Sequence, residues 1–316
     1  MPLNTLDSVM AEKSLFQYLD LKDELWYECL EASYGALRKS WSGNWLGMPR
    51  VLDECLKFLN LQENNLSEAG RSMLAAAETV ALEIEKHAEN LPKLAEPKYH
   101  NRLHFADALT SMSLQLAILL QLKKEANSDW MVCALLTCIA HDVVHPGQVN
   151  RHESEIEKQS VNFLRPILSF HAVPNEWQKV IEAAIIRSDF AIVHHNHASV
   201  VGQTFEWDLK WLCVLLNEAD VMASASSKYG PVLGDSLAQE WRLIDFPLHS
   251  SVASLEGRKN FLKQLIFSSP SSLVLGLGER ISEEVKKNFP LKKIEIFSSD
   301  TMNKKDSNDK LEKIIN

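Results

Sequence analysis

Four histidines and two aspartates fall in two short windows. The first is Tyr99-His100-Asn101-Arg102-Leu103-His104 with Asp107 just beyond it, and the second is His141-Asp142-Val143-Val144-His145-Pro146-Gly147. Neutral imidazole nitrogens and carboxylate oxygens are the donors that zinc, iron and manganese take, so the leading chemistry is metal-assisted. Residues four apart share a helix face, which points His100 and His104 into one cleft with Asp107 a turn further on. His141 and His145 repeat that spacing before Pro146-Gly147 halts the helix. One histidine on an apolar face is more often a core residue bonded to a carbonyl. It is the set that points to a metal.

The elements that must position these groups read as helices. The second window follows the uncharged run 130–140, Trp-Met-Val-Cys-Ala-Leu-Leu-Thr-Cys-Ile-Ala. A helix that apolar is buried and carries His141 and Asp142 inward, where an ionised carboxylate is costly unless paired or bound to a metal. Apolar residues recur every three or four positions over 11–61, giving two or three amphipathic helices divided by the turn-like stretch 41–49. Further helices are expected over 67–87, 101–124, 153–168, 176–192, 209–222, 232–241, 258–266 and 282–288. In the one over 101–124, Leu116, Leu119, Leu120 and Leu122 face a core. Convincing strands are absent, so the expected class is an all-α, multi-helix bundle. Residues 1–90 read as N-terminal helices packed on the core, 91–297 as the catalytic region, and 298–316 as a flexible charged tail.

The chain of 316 residues is 46% hydrophobic, enough for a sizeable core. Its 33 basic and 42 acidic residues give a formal net charge of -9, so no global basic field exists to attract a nucleic-acid backbone. Five cysteines without a Cys-x-x-Cys pair read as buried free thiols. Neither a secretory signal nor a run long enough to span a bilayer is apparent, which makes a cytoplasmic location the expectation. Gly276-Leu277-Gly278 lacks the preceding strand and the third glycine of a phosphate loop. His194, His195 and His197 are expected in a solvated loop, and His152, His171 and His249 at the surface or as caps.

Tyr99-His100-Asn101 with His104 and Asp107, His141-Asp142 with His145-Pro146-Gly147 and Asn150, and Asn217-Glu218-Ala219-Asp220 together resemble the catalytic domain of class I 3',5'-cyclic nucleotide phosphodiesterases, within the HD metal-dependent phosphohydrolases. The resemblance covers roughly residues 99–241. It implies that His104, His141, Asp142 and Asp220 ligate a tighter metal (zinc, iron or manganese). Asp142 would bridge to a second, water-rich ion (magnesium or manganese), with His145 and Glu157 organising its shell. Asp107 would orient a histidine, and His100 would be the general acid.

The implied reaction is hydrolysis of a small-molecule 3',5'-cyclic nucleotide to the 5'-monophosphate by a metal-bridged hydroxide. Hydrolysis of another nucleotide or phosphoester is the first alternative, and a catalytically silent nucleotide-binding sensor the second. Where the family commonly has an Asn three residues after the last metal Asp, this chain has Ala223. Two pairs fit the family's spacing of a purine-binding Gln and a stacking aromatic, namely Gln264 with Phe267 and Arg258 with Phe261.

Overall fold

The computed structural model describes residues 15–16, 25–91, 96–122, 125–242, 244 and 246–288. Among them there are helices and no strands. They are α1 (Trp26–Ser42), α2 (Met48–Phe58), α3 (Glu68–Asn90), α4 (Arg102–Gln121), α5 (Ser128–Ala140), α6 (Glu155–Phe170), α7 (Asn175–Ile186), α8 (Val193–Ser199), α9 (Leu209–Ala225), α10 (Gly230–Trp241), α11 (Phe246–Val252), α12 (Leu255–Gln264), α13 (Pro270–Val274) and α14 (Leu277–Asn288). The expected tail over 298–316 and the start of the 11–61 pattern lie outside the described residues.

At the centre, α4 packs broadly on α9 and α5 broadly on α3, while α1 and α2 both rest on α4. Burial explains the arrangement. All ten residues from Met131 to Ala140 are buried, and so are nearly all of α4 from His104 to Leu119. By length and composition α4 is apolar enough to cross a membrane, contrary to the sequence expectation that no run is, yet 83% of its most apolar window is buried inside the bundle. It is a core helix. Leu116 and Leu119 are fully enclosed as expected, whereas Leu122 caps the helix and is exposed. All five cysteines are buried and none is in a disulfide.

Side-chain caps fix where the helices begin. Ser67, Asn101, Asn127, Asp208 and Ser254 each accept a backbone N–H from the first turn that follows. The Asn101 cap sets the start of α4 between His100 and His104. The helix expected over 176–192 stops at Ile186 because side chains take over from the backbone ladder. Ser188 Oγ donates to the Ile185 carbonyl, while Asp189 accepts from Ala191 N and, across the fold, from Ser154 N. Residues 193–199 then form α8, where a loop is expected from the sequence.

One ion pair clamps α1 to the core. Arg38 donates through Nη1 and Nη2 to the two oxygens of Asp107 at 2.8 Å each, and its guanidinium sits 4.3 Å over the Tyr229 ring. Asp107 is only 2% exposed, and its burial raises its pKa against the opposing pull of Arg38. Removing Arg38 strands a buried carboxylate. We expect Arg38→Met to destabilise the metal-free chain by about 3–5 kcal/mol in chemical unfolding, and the Arg38→Met/Asp107→Leu double variant to lose less than the single one. A single-variant loss below about 1 kcal/mol would contradict the clamp.

Candidate metal centre

Three helices deliver four donors to one point. His104 sits in the first turns of α4, His141 is the residue that ends α5, Asp142 follows it, and Asp220 lies near the end of α9. His104 Nε2 stands 3.2 Å from Asp220 Oδ1 and 3.5 Å from Asp142 Oδ2. His141 Nε2 stands 3.3 Å from Asp142 Oδ2 and 3.5 Å from Asp220 Oδ1.

Both Nε2 atoms are buried and neither makes a hydrogen bond, close as the carboxylates are. Four donors at about 2.0–2.2 Å from a shared tetrahedral ion would be about 3.3–3.6 Å apart, close to the separations observed. His141 Nδ1 donates to the Cys138 carbonyl at 2.7 Å, which leaves the Nε2 lone pair free to face the cluster. The donor set, its spacing and the two orphaned nitrogens fit a divalent cation.

A second group, His100, Asp142 and His145, adjoins the first and shares Asp142 with it. Two clusters could therefore each hold an ion. The His100 and His145 rings are stacked at 3.5 Å between centroids. Gly147 N donates to His145 Nδ1 at 3.1 Å, so neutral His145 carries its proton on Nε2 and presents a donor. Only glycine suits position 147, because φ is +70° and a Cβ would press on the Glu240 side chain at 3.1–3.3 Å.

His100 has a different anchor, one without a signal in the sequence windows. Its Nδ1 lies 2.5 Å from Glu240 Oε1, while Glu240 Oε2 accepts from the Tyr99 and His100 backbone N–H groups at 2.7 and 3.0 Å. Glu240 is on α10, and no local spacing links it to His100, 140 residues away. Burial works against its ionisation, but His100 and those two amides hold its pKa below the usual value.

The remaining expected site residues are placed as follows. Asp107 gives both oxygens to Arg38 and makes none of its hydrogen bonds to a histidine, so it steadies α4 instead of fixing an imidazole tautomer. Glu157 is outside both clusters, accepts from Asn150 Nδ2 at 2.8 Å, and is pushed up to about 7 by burial. Gln264 is exposed at the end of α12, and Phe267 packs on the core. Arg258 and Phe261 instead line a cavity beside Tyr99, and Ala223 is buried in α9. Of the histidines expected in solvent, His194 and His195 are exposed. His197 is 3% exposed and bonded through Nδ1 to Ser268 Oγ. His171 Nε2 meets Thr79 Oγ1, and His249 Nδ1 donates to the Ala238 carbonyl.

Electrostatics set the protonation of the metal-free quartet. Burial would lower the histidine pKa values, but the two facing carboxylates outweigh it, raising His141 and pushing His104 up to about 9. Burial would raise Asp142 and Asp220, yet the histidines hold both carboxyls below the usual range. His145 moves the other way, down to about 3, through burial and the neighbouring His100. No protein-family model matches the chain, and no curated protein matches it.

At pH 7 a cation entering the quartet displaces a proton from His104. Zinc or manganese uptake should therefore release protons at pH 7, with apparent affinity rising with pH. Calorimetry in buffers of different ionisation heat would read this directly. Affinity independent of pH between 6 and 8 would exclude the quartet as the site. By elemental analysis, His141→Ala and Asp220→Ala should each lose the tighter metal.

Proposed function

We propose that this protein is a metal-dependent phosphodiesterase that hydrolyses a 3',5'-cyclic nucleotide to the 5'-monophosphate, as its resemblance to the class I cyclic nucleotide phosphodiesterases implies. The observation that carries the reading is the convergence of His104, His141, Asp142 and Asp220 beside the His100–Glu240 pair. Bound divalent cations, zinc, iron or manganese in the quartet and magnesium or manganese beside it, would neutralise charge on the phosphoryl oxygens and bring the pKa of a bound water towards about 7.

The protein side chains do the rest. His104, His141 and Asp220 would hold one ion, and Asp142 belongs to both clusters. His145 presents an N–H instead of a bare nitrogen, which suits a hydrogen bond to water around the second ion. Glu157 is the other side chain assigned to that shell, held in place by Asn150.

His100 is assigned the proton transfer. Glu240 fixes its Nδ1 and the adjoining backbone through three hydrogen bonds, so the ring cannot swing, and Nε2 is left as the atom that protonates the departing 3' oxygen. Glu240 also balances the imidazolium charge before transfer. A silent sensor would have no use for an acid so held.

Replacing His100 with Asn should leave metal content and fold intact while lowering turnover of a cyclic nucleotide by about 10²–10⁴-fold. The same variant should lose much less on bis(4-nitrophenyl) phosphate, whose leaving group departs without a proton. Steady-state kinetics on both substrates, with elemental analysis, separates leaving-group protonation from metal binding. Equal losses on the two substrates would rule the role out.

A further inference from the structure

A cavity of about 350 Å³ is lined by every member of the second cluster, His100, Asp142 and His145. The rest of its wall includes Ile84 and Ala88 from α3, Phe105 from α4, and Glu96 and Arg102. His87 and Pro146, both exposed, also line it, so the cavity opens to solvent. Of the quartet, Asp142 alone takes part. The quartet has a face of its own towards solvent, where the Asp220 side chain is 26% exposed.

The fixed charges of this wall favour a cation. Its one guanidinium, Arg102, is shared between two carboxylates, donating through Nε and Nη2 to Glu96 at 3.0 Å each and through Nη1 to Glu85 at 2.6 Å. That trio carries one net negative charge, and Asp142 adds another. A phosphoester entering here finds no uncommitted guanidinium, whereas a divalent cation finds a surplus of negative charge. The cluster itself supplies few lone pairs. Asp142 offers carboxylate oxygens, but neutral His145 presents an N–H because its Nδ1 accepts from Gly147 N, and His100 Nδ1 is taken by Glu240. An ion with so few protein ligands keeps most of its water, as magnesium does by preference. Six waters at about 30 Å³ each occupy about 180 Å³, so the cavity has room for the ion with its shell intact.

We infer that this cavity is the passage by which the second cluster takes up and releases a hydrated divalent cation, separately from the quartet. The inference rests on the two-cation part of the proposed function and goes beyond it by giving each ion its own route. The quartet ion meets solvent beside Asp220, and the second ion meets it between α3 and the His145 loop. The two ions therefore exchange independently although Asp142 touches both.

Ala88 provides the test. It is half-buried near the end of α3 and lines the cavity, so a larger side chain there narrows the passage without replacing a donor of either cluster. The full chain is loaded with one equivalent of zinc, manganese is added as the probe, and its uptake, then its release into excess magnesium, is followed by electron paramagnetic resonance. Ala88→Trp should slow uptake and release alike by about tenfold or more, because the indole must move before the ion passes. Manganese affinity and the rate of zinc release into a chelator should stay as in wild type. Ala88→Lys and Ala88→Glu, similar in reach and opposite in charge, should slow and speed uptake respectively, standing about tenfold apart at low salt. Their rates should converge near 1 M salt, where the Debye length is about 3 Å.

Wild-type manganese rates in Ala88→Trp overturn the passage, as does zinc release slowed to the same degree. Affinity lost without slower uptake also overturns it, since the indole would then be acting on the site and not on the route. If Ala88→Trp fails to fold, the Lys and Glu pair decides alone, and equal uptake by the two at low salt overturns the inference. Saturation by a single equivalent of metal removes the second ion and the passage together. Failure to hydrolyse cyclic nucleotides, by contrast, would sink the phosphodiesterase reading while the exchange rates still decide the passage.

Discussion

Two imidazole nitrogens, each within 3.5 Å of both of two carboxylates, are gathered at the heart of an apolar bundle, and neither nitrogen has a hydrogen-bond partner. The rest of the structure is organised around holding them there. Buried polar atoms left without partners are costly, and a pair of facing carboxylates adds repulsion to that cost. The metal-free chain offsets it by drawing protons onto the histidines, which is why His104 stands at about 9. A cation resolves the same imbalance with more charge and better geometry. Metal and proton therefore compete for one deficit, and the apolar lengths of α4, α5 and α9 are what confine that deficit to a single point.

Around the quartet, each supporting element is fixed by a buried charge with its own partner. Arg38 holds Asp107 and so α1 against α4. Glu240 holds His100 and so α10 against the loop before α4. Glu218, fully buried two residues before Asp220, accepts from Ser268 N, Ser269 N and the Ser269 and Ser272 hydroxyls, which pins the start of α13 beside α9. Its burial raises its pKa against those donors. Breaking such a pair is far more disruptive than never having made it. These contacts tie α1, α10 and α13 to the helices that carry the quartet.

The residues that meet at the quartet were legible because their signals are local. His104 lies a helical turn past His100, His141-Asp142 ends the most apolar helix, and Asp220 sits in a long helical pattern. The buried helix ending in His141 was equally legible, since ten consecutive apolar or small residues admit no solvent-facing side. Glu240 was not, because its partner is 140 residues away and one glutamate in Ala-Gln-Glu-Trp looks like any solvated helix position. Arg38, 69 residues from Asp107, was hidden for the same reason, and with it the actual work of Asp107. The α7 boundary and α8 were misjudged where Ser188 and Asp189 replace ladder bonds with side-chain ones. A clue was present in that Ser-Asp pair, since both residue types favour such turns.

Helix α10 links an apolar cavity to the proposed general acid. Its first two turns, through Gly230, Leu233 and Gly234, form one wall of an apolar cavity beside Tyr99, and its last turn carries Glu240, which is hydrogen-bonded to His100. The metal quartet, by contrast, draws nothing from α10. Substitutions lining the cavity therefore leave the metal donors untouched, but any that shift α10 along its axis also move Glu240 and the His100 ring. Insertions or a proline that move the register of α10 would therefore disturb the hold on His100 even with both clusters intact.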